Sequence, residues 1–187
     1  ENLWVCPSWE SQAEIPSDAI IINMDPGLAF GSGSHQTTSL CLEYLDTNPP
    51  KNINVIDFGC GTGILAIAAA KLGALRVLAI DNDPQAVISS KDNVINNQCE
   101  SIIKSIHLDD EIDFEGCDLL IANILANPLI KLAPTFSFLV NTDGKLLLSG
   151  ILKKQVDRVV DCYSEYFTNL EVSNIDEWYR VTGTRTA

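Results

Sequence analysis

The sequence predicts a doubly wound α/β fold around a mostly parallel sheet, and three observations predict it. Short apolar segments alternate with helix-forming segments from residue 54 to residue 167. Each connection between consecutive apolar segments is long enough for a crossover helix, the arrangement that covers both faces of a parallel sheet. The tail departs from this alternation. Residues 169–175 and 178–184 read as two strands joined by a short turn, and such a hairpin adds one antiparallel strand at or near the edge of the sheet.

The elements follow from local chemistry. Residues 54–58 are a buried strand, because Val55, Ile56 and Phe58 are apolar and a glycine loop follows. Residues 63–72 are rich in Ala, Leu and Ile and stop near Gly73, as a helix does. A second strand covers 75–80. A helix covers 84–97, with Pro84 in its first turn and Asp83 as N-cap. The pattern continues with strands at 101–108, 118–122 and 145–149 and helices at 128–139 and 153–167. Ahead of this alternation, a glycine-rich loop at 25–38 runs into a short helix at 39–45. Residues 1–17 hold Pro7, Pro16 and two tryptophans with no clear period, so residues 1–24 are expected to be a linker and 25–187 a single ligand-binding domain.

Bulk properties narrow the function. A 187-residue chain with 46% apolar and 20% charged residues suits one globular domain that buries roughly 70% of its unfolded surface. The net charge of −13 and the lack of any basic run argue against direct nucleic-acid binding, which leans on Lys and Arg. The acidic balance suits a small cofactor or a basic protein partner, or serves solubility alone. Six cysteines with no CxxC, and only His35 and His107 beside them, make a metal site unexpected. Cysteines inside apolar segments behave as reduced buried thiols and fit the cytoplasm. No signal peptide opens the chain, and the apolar run 64–70 is too short to span a bilayer.

The chemistry is expected at the carboxyl ends of the strands, near the point where strand order reverses. The loop after the first strand of the alternation reads Asp57-Phe58-Gly59-Cys60-Gly61-Thr62-Gly63. Its spacing is GxGxG. The third glycine of a dinucleotide fingerprint is replaced by Ile64. Asp57 would repel a pyrophosphate but suits a ligand with an ammonium group, and S-adenosylmethionine has that group and no phosphate. A glycine turn without function is the alternative. Asp81 ends the next strand, 18 residues after Gly63, where a carboxylate accepts ribose hydroxyls. NAD carries such a ribose too, and Asp81 could also serve only as a turn residue before Asp83-Pro84. Asn123 ends the fourth strand and, with the carbonyls after it, offers acceptors for an amine, although Asn is also common in turns. The 25–38 loop suits a lid over a ligand or a plain surface turn.

These motifs together resemble a known family. Asp25-Pro-Gly-Leu-Ala-Phe-Gly through His35-Gln-Thr-Thr, the glycine-loop segment from Val55, Ala79-Ile-Asp-Asn-Asp-Pro-Gln-Ala, Ile121-Ala-Asn-Ile-Leu-Ala, Ser149-Gly-Ile-Leu and the closing Trp178-Tyr-Arg-Val-Thr-Gly are similar to the PrmA-type methyltransferases of large-subunit ribosomal protein eleven. The glycine motif is shared by many methyltransferases; the lid loop combined with the Asn-Ile-Leu-Ala turn is more specific. The resemblance implies a seven-stranded Rossmann-like methyltransferase fold acting on lysine side chains and an N-terminal α-amine of a basic ribosomal protein. It places cofactor contacts on Thr38 (with Thr37 as the neighbouring alternative), Gly59, Asp81 and Asn123, with Asn123 also near the reacting methyl group and Phe30 and His35 in the lid. Family members carry a small recognition domain ahead of the linker, so the chain is expected to begin inside that linker. A methyltransferase for another amine, and a nucleotide-binding module without catalysis, are the rival readings. The Asn-Pro-Pro-Tyr turn of the release-factor glutamine methyltransferases is absent.

Overall fold

The computed structural model describes residues 2–7, 16–24, 35–111 and 114–186. The strands of the main sheet are β3 (Asn54–Phe58), β4 (Arg76–Asp81), β5 (Ile103–His107), β6 (Cys117–Asn123), β7 (Val140–Leu152), β8 (Phe167–Ile175) and β9 (Trp178–Arg185). They lie in the order β5-β4-β3-β6-β7-β9-β8. All neighbours from β5 to β7 are parallel, whereas β9 runs antiparallel to both β7 and β8. The expected antiparallel strand is therefore inserted one place in from the edge. Strand order reverses between β3 and β6, which sets the crevice where such sheets bind ligands.

Alternating side chains divide the strands between two cores, as a sheet covered on both faces requires. Val55, Val77, Leu119 and Leu147 face helices α1 (Gln36–Thr47), α2 (Ile64–Lys71) and α3 (Pro84–Asn96). Ile56, Leu78, Leu120 and Leu146 face α4 (Ala126–Leu139) and α5 (Val156–Tyr163). α2 is buried along its described length apart from Lys71, which explains why its sequence is apolar all round rather than striped. Asp83 caps α3 by accepting from the Gln85 N–H at 2.9 Å.

Three segments differ from the sequence expectation. The 145–149 strand is the centre of a longer β7, which pairs with β6 as far as Ser149 and with β9 as far as Leu152. The 153–167 helix divides into a 3₁₀ turn at Lys153–Gln155 and α5, and Phe167 opens β8 instead. Tyr163 decides this end: it is buried, and its hydroxyl donates to the Leu129 carbonyl at 2.8 Å. α4 starts earlier than expected and carries Pro134 in its interior. Proline has no N–H for the Ile130 carbonyl, and the Cys162 thiol donates to that carbonyl instead, at 3.5 Å.

Within residues 1–24, β1 (Leu3–Cys6) and β2 (Ile20–Asn23) form a two-stranded parallel sheet. Asn97 ties it to the main body by donating to the Asn23 carbonyl and accepting from the Asn23 N–H. Ile22 and Met24 are buried in the core beneath α2. Among the described residues no helix is long and apolar enough to cross a membrane.

Candidate active site

The glycine loop is built by turning its own N–H groups inward. The Gly59 and Cys60 amides both donate to the Ile80 carbonyl, at 2.8 and 3.0 Å, and Gly63 donates to Cys60. The Gly61 amide donates to the Asp81 carboxylate at 2.8 Å. Behind the loop, Asp57 accepts from the Ala66 N–H in the first turn of α2 at 3.0 Å. In a dinucleotide site, the loop amides and helix N-terminus would face a phosphate. Here Gly59, Cys60, Gly61 and Gly63 donate within the protein, and two carboxylates take the Gly61 and Ala66 amides. This arrangement disfavours a phosphate and tolerates a cation.

Asp57 is 1% exposed, and its second oxygen, Oδ1, has no hydrogen-bond partner. Burial pushes its carboxyl up from 3.8 to about 7; the Ala66 hydrogen bond opposes the shift and the nearby Asp81 charge adds to it. Burial also pushes the neighbouring Cys41 thiol up to about 12, with Asp57 adding to the effect, so Cys41 is inert packing rather than a nucleophile.

A cavity of about 530 Å³ runs along the carboxyl edge of the sheet, within the size range of small-molecule sites. Asp81 and Asn82 line the β4 end. Gly59, Cys60 and Gly61 come next, followed by Asn123, Ile124 and Leu125 after β6, then Gly150 and Trp178. His35, Thr37 and Thr38 close it from α1. Among the described residues that form this wall, Asp81 is the only carboxylate and there is no Lys or Arg.

Thr38, Gly59, Asp81 and Asn123, picked out by their motifs, thus share one cavity wall, with Thr37 and His35 beside them. The Asn123 side-chain N–H donates to Thr38 Oγ1 at 3.3 Å, which leaves its carbonyl oxygen available as an acceptor. Asp81 uses one oxygen on Gly61 and the other on the Asp83 N–H at 3.0 Å. A carboxylate has about four acceptor positions, so capacity for ribose hydroxyls remains. Phe30 and the loop at 25–34 lie outside the described residues.

A family model described as ribosomal protein L11 methyltransferase (PrmA) matches residues 1–186. The chain belongs to this family. It is 47% identical over 185 residues to a ribosomal protein L11 methyltransferase of Pseudomonas fluorescens, covering 99% of this chain and 63% of the relative. It is 48% identical over 186 residues to one of Shewanella sediminis, covering 99% and 62%. The chain therefore spans less than two thirds of the length of these family members. A crystal structure of ribosomal protein L11 methylase from Lactobacillus delbrueckii subsp. bulgaricus superposes with a TM-score of 0.89 at 34% identity, covering 100% of this chain and 96% of that one. The family fold is thus shared throughout the described residues.

The motifs did not single out Gly150, Ile124, Leu125 or Trp178 as site residues. Gly150 has φ +86, and a Cβ there would lie 2.2 Å from the Ile124 carbonyl oxygen. A Cβ on Gly59 would lie 2.4 Å from Ile124 Cγ2. Ile124 is thus seated between Gly59 of the loop after β3 and Gly150 of β7, and this fixes the turn that presents Asn123. The glycine at a strand end was a visible signal for Gly150. Trp178 carried none, because its place depends on β9 entering the sheet beside β7.

Proposed function

We propose that this chain is the catalytic part of an S-adenosylmethionine-dependent N-methyltransferase. Its acceptors are amino groups, lysine side chains and an N-terminal α-amine, of a ribosomal large-subunit protein, the L11 of the relatives' names. The observation that carries this reading is the inward-turned glycine loop with Asp57 and Asp81 behind and beside it. That arrangement engages the Gly59, Cys60, Gly61 and Gly63 amides within the protein and sets two carboxylates against the loop, which is unfavourable to a pyrophosphate, and it retains a buried carboxylate oxygen without a partner and a second carboxylate at the ribose end. These features suit a nucleoside with a cationic amino-acid tail. Thr38, Gly59, Asp81 and Asn123 would hold it.

When bound, the cofactor supplies an electrophilic methyl group on a sulfonium. The protein's task is to present a neutral amine in line with it. Ile64, Leu65, Ile124 and Leu125 give the cavity an apolar lining, and desolvation favours the neutral form of a lysine amine over its ammonium. Asn123, with its amide anchored by Thr38, accepts an N–H of that amine and aims the lone pair. Because misplacement by about 1 Å can cost on the order of a hundredfold, positioning rather than proton abstraction carries the rate.

Calorimetric titration of the 187-residue chain with S-adenosylmethionine and, separately, NAD tests the cofactor. Transfer of labelled methyl to ribosomal protein L11 tests the acceptor. Binding of the sulfonium cofactor alone is expected. Binding of NAD in its place would overturn the reading.

A further inference from the structure

The cavity is longer than the four cofactor positions require. From Asp81 on β4 to Trp178 on β9 it crosses four strand spacings, roughly 19 Å at about 4.8 Å each. Asn123 stands halfway, at the end of β6. Beyond it lie two more strand positions, Gly150 and Trp178. At that far end the Trp178 and His35 rings meet edge to face, with centroids 5.1 Å apart and planes at 68°, so each holds the other in place. Leu125 stands at this wall 69% exposed. Asp176 and Glu177 directly precede Trp178 and are exposed, and the cavity wall carries no Lys or Arg among the described residues.

We infer that the Trp178 end of the cavity is a subsite for a methylated ammonium group, recognised by the indole face rather than by hydrogen bonds. The inference rests on the amine-methylating function proposed above. In each transfer the amine lone pair forms the new N–C bond and the C–S bond breaks with its electron pair left on sulfur; after the first and second transfers the ammonium product loses a proton to water before it can attack a further cofactor molecule, and after the third the quaternary product has no proton to lose and keeps its charge. A neutral primary amine offers two N–H groups to acceptors such as Asn123, a secondary amine one, and a tertiary amine none. Hydrogen-bond control therefore fades as methyl groups accumulate. An aromatic face gains over the same series, because it attracts a cation and packs against methyl groups. The exposed Asp176 and Glu177 beside Trp178 favour the same charge, as does the absence of Lys and Arg among the described wall residues.

The test uses Nα-acetyl-Nε-trimethyl-lysine amide as probe, beside its neutral isostere with carbon in place of the ammonium nitrogen. Both are titrated calorimetrically into the chain saturated with S-adenosylhomocysteine. The cation should bind roughly five- to thirtyfold tighter than the isostere. Trp178→Leu should abolish that preference and Trp178→Phe should retain part of it, with thermal unfolding confirming that both variants fold. Equal binding of cation and isostere, no binding of the cation, or an undiminished preference in a folded Trp178→Leu protein each overturns the inference. The proposed function fails separately, on the cofactor titration of the unmodified chain.

Discussion

Ionisation of Asp57 costs more inside the fold than in the unfolded chain, because its carboxyl is raised from 3.8 to about 7 mainly by burial. The sign follows from linkage: a raised folded pKa contributes stability that is fully present below about pH 4 and is lost as pH rises through about 7. Denaturant unfolding should therefore show the native chain losing stability between about pH 4 and about pH 7 relative to Asp57→Asn, which has no charge to ionise. An ammonium-bearing ligand in the cavity would favour the ionised carboxylate, so binding near pH 7 should release protons in the native chain and not in Asp57→Asn, read as a buffer-dependent calorimetric enthalpy. Asp81→Ala should weaken the sulfonium cofactor by about 1.5–3 kcal/mol, the range for hydrogen bonds to a charged group. It should also loosen Gly61, whose amide it holds; unchanged affinity would remove Asp81 from the cofactor site. Asn123→Ala should lower turnover far more than cofactor affinity. Asn123→Asp should recover activity as pH rises, because a carboxylate there favours the unreactive ammonium; parallel loss of stability and affinity would reduce Asn123 to a turn residue. At this scale the glycine spacing and the acidic strand end were legible from residue type and position. The hold of Asp81 on the loop was not, because it depends on β3 and β4 lying side by side.

The C-terminal hairpin holds helix α1 beside the cavity at three points, in addition to its hydrogen bonds with Asn123 and Ser149. Gln36 donates to Asp176, His35 abuts Trp178, and Arg180 donates to the Leu40 carbonyl at 2.8 Å while lying over the Tyr44 ring. No local pattern in residues 35–45 announces this, since the partners are some 140 positions away. The core strands and helices between 54 and 139 were legible because apolar runs, caps and glycine stops are local signals. β7 outran its expected bounds because pairing on both sides extended it, and α5 fell short because burial of Tyr163 and Phe167 outweighed local helical preference. The seat of Ile124 gives a test of how two loops share one residue. Gly59→Ala should destabilise through both its φ of +75 and the contact with Ile124 Cγ2. In an Ile124→Ala background only the backbone strain remains, so a double-mutant cycle should show coupling of about 0.5–3 kcal/mol. Gly150→Ala meets the Ile124 backbone, and the same background should not relieve it; additivity at Gly59 would contradict this packing.

At the scale of the whole molecule, the charge of −13 should draw a basic protein acceptor toward the surface. Its association rate should fall steeply between about 0.01 M and 0.15 M salt, as the screening length shortens from roughly 30 Å to 8 Å; a rate indifferent to salt would assign the charge to solubility. The alternation of elements foretold the doubly wound sheet. It did not foretell the small β1–β2 sheet, whose strands are four residues each and too short for a period to show. The place of β9 has a consequence for how the molecule is made. The last strand described sits inside the sheet, with β7 on one side and β8 on the other, and it brings both Trp178 and the anchors of α1. During synthesis, β3 to β6 can assemble as they emerge, since domains form from the N-terminus onward. The cavity cannot close until residue 185 has left the ribosome and β9 has been placed between its neighbours. A nascent chain halted before that point would present glycine loop and Asp81 together but no Trp178 wall, so the β4 end of the cavity would form on the ribosome before the β9 end.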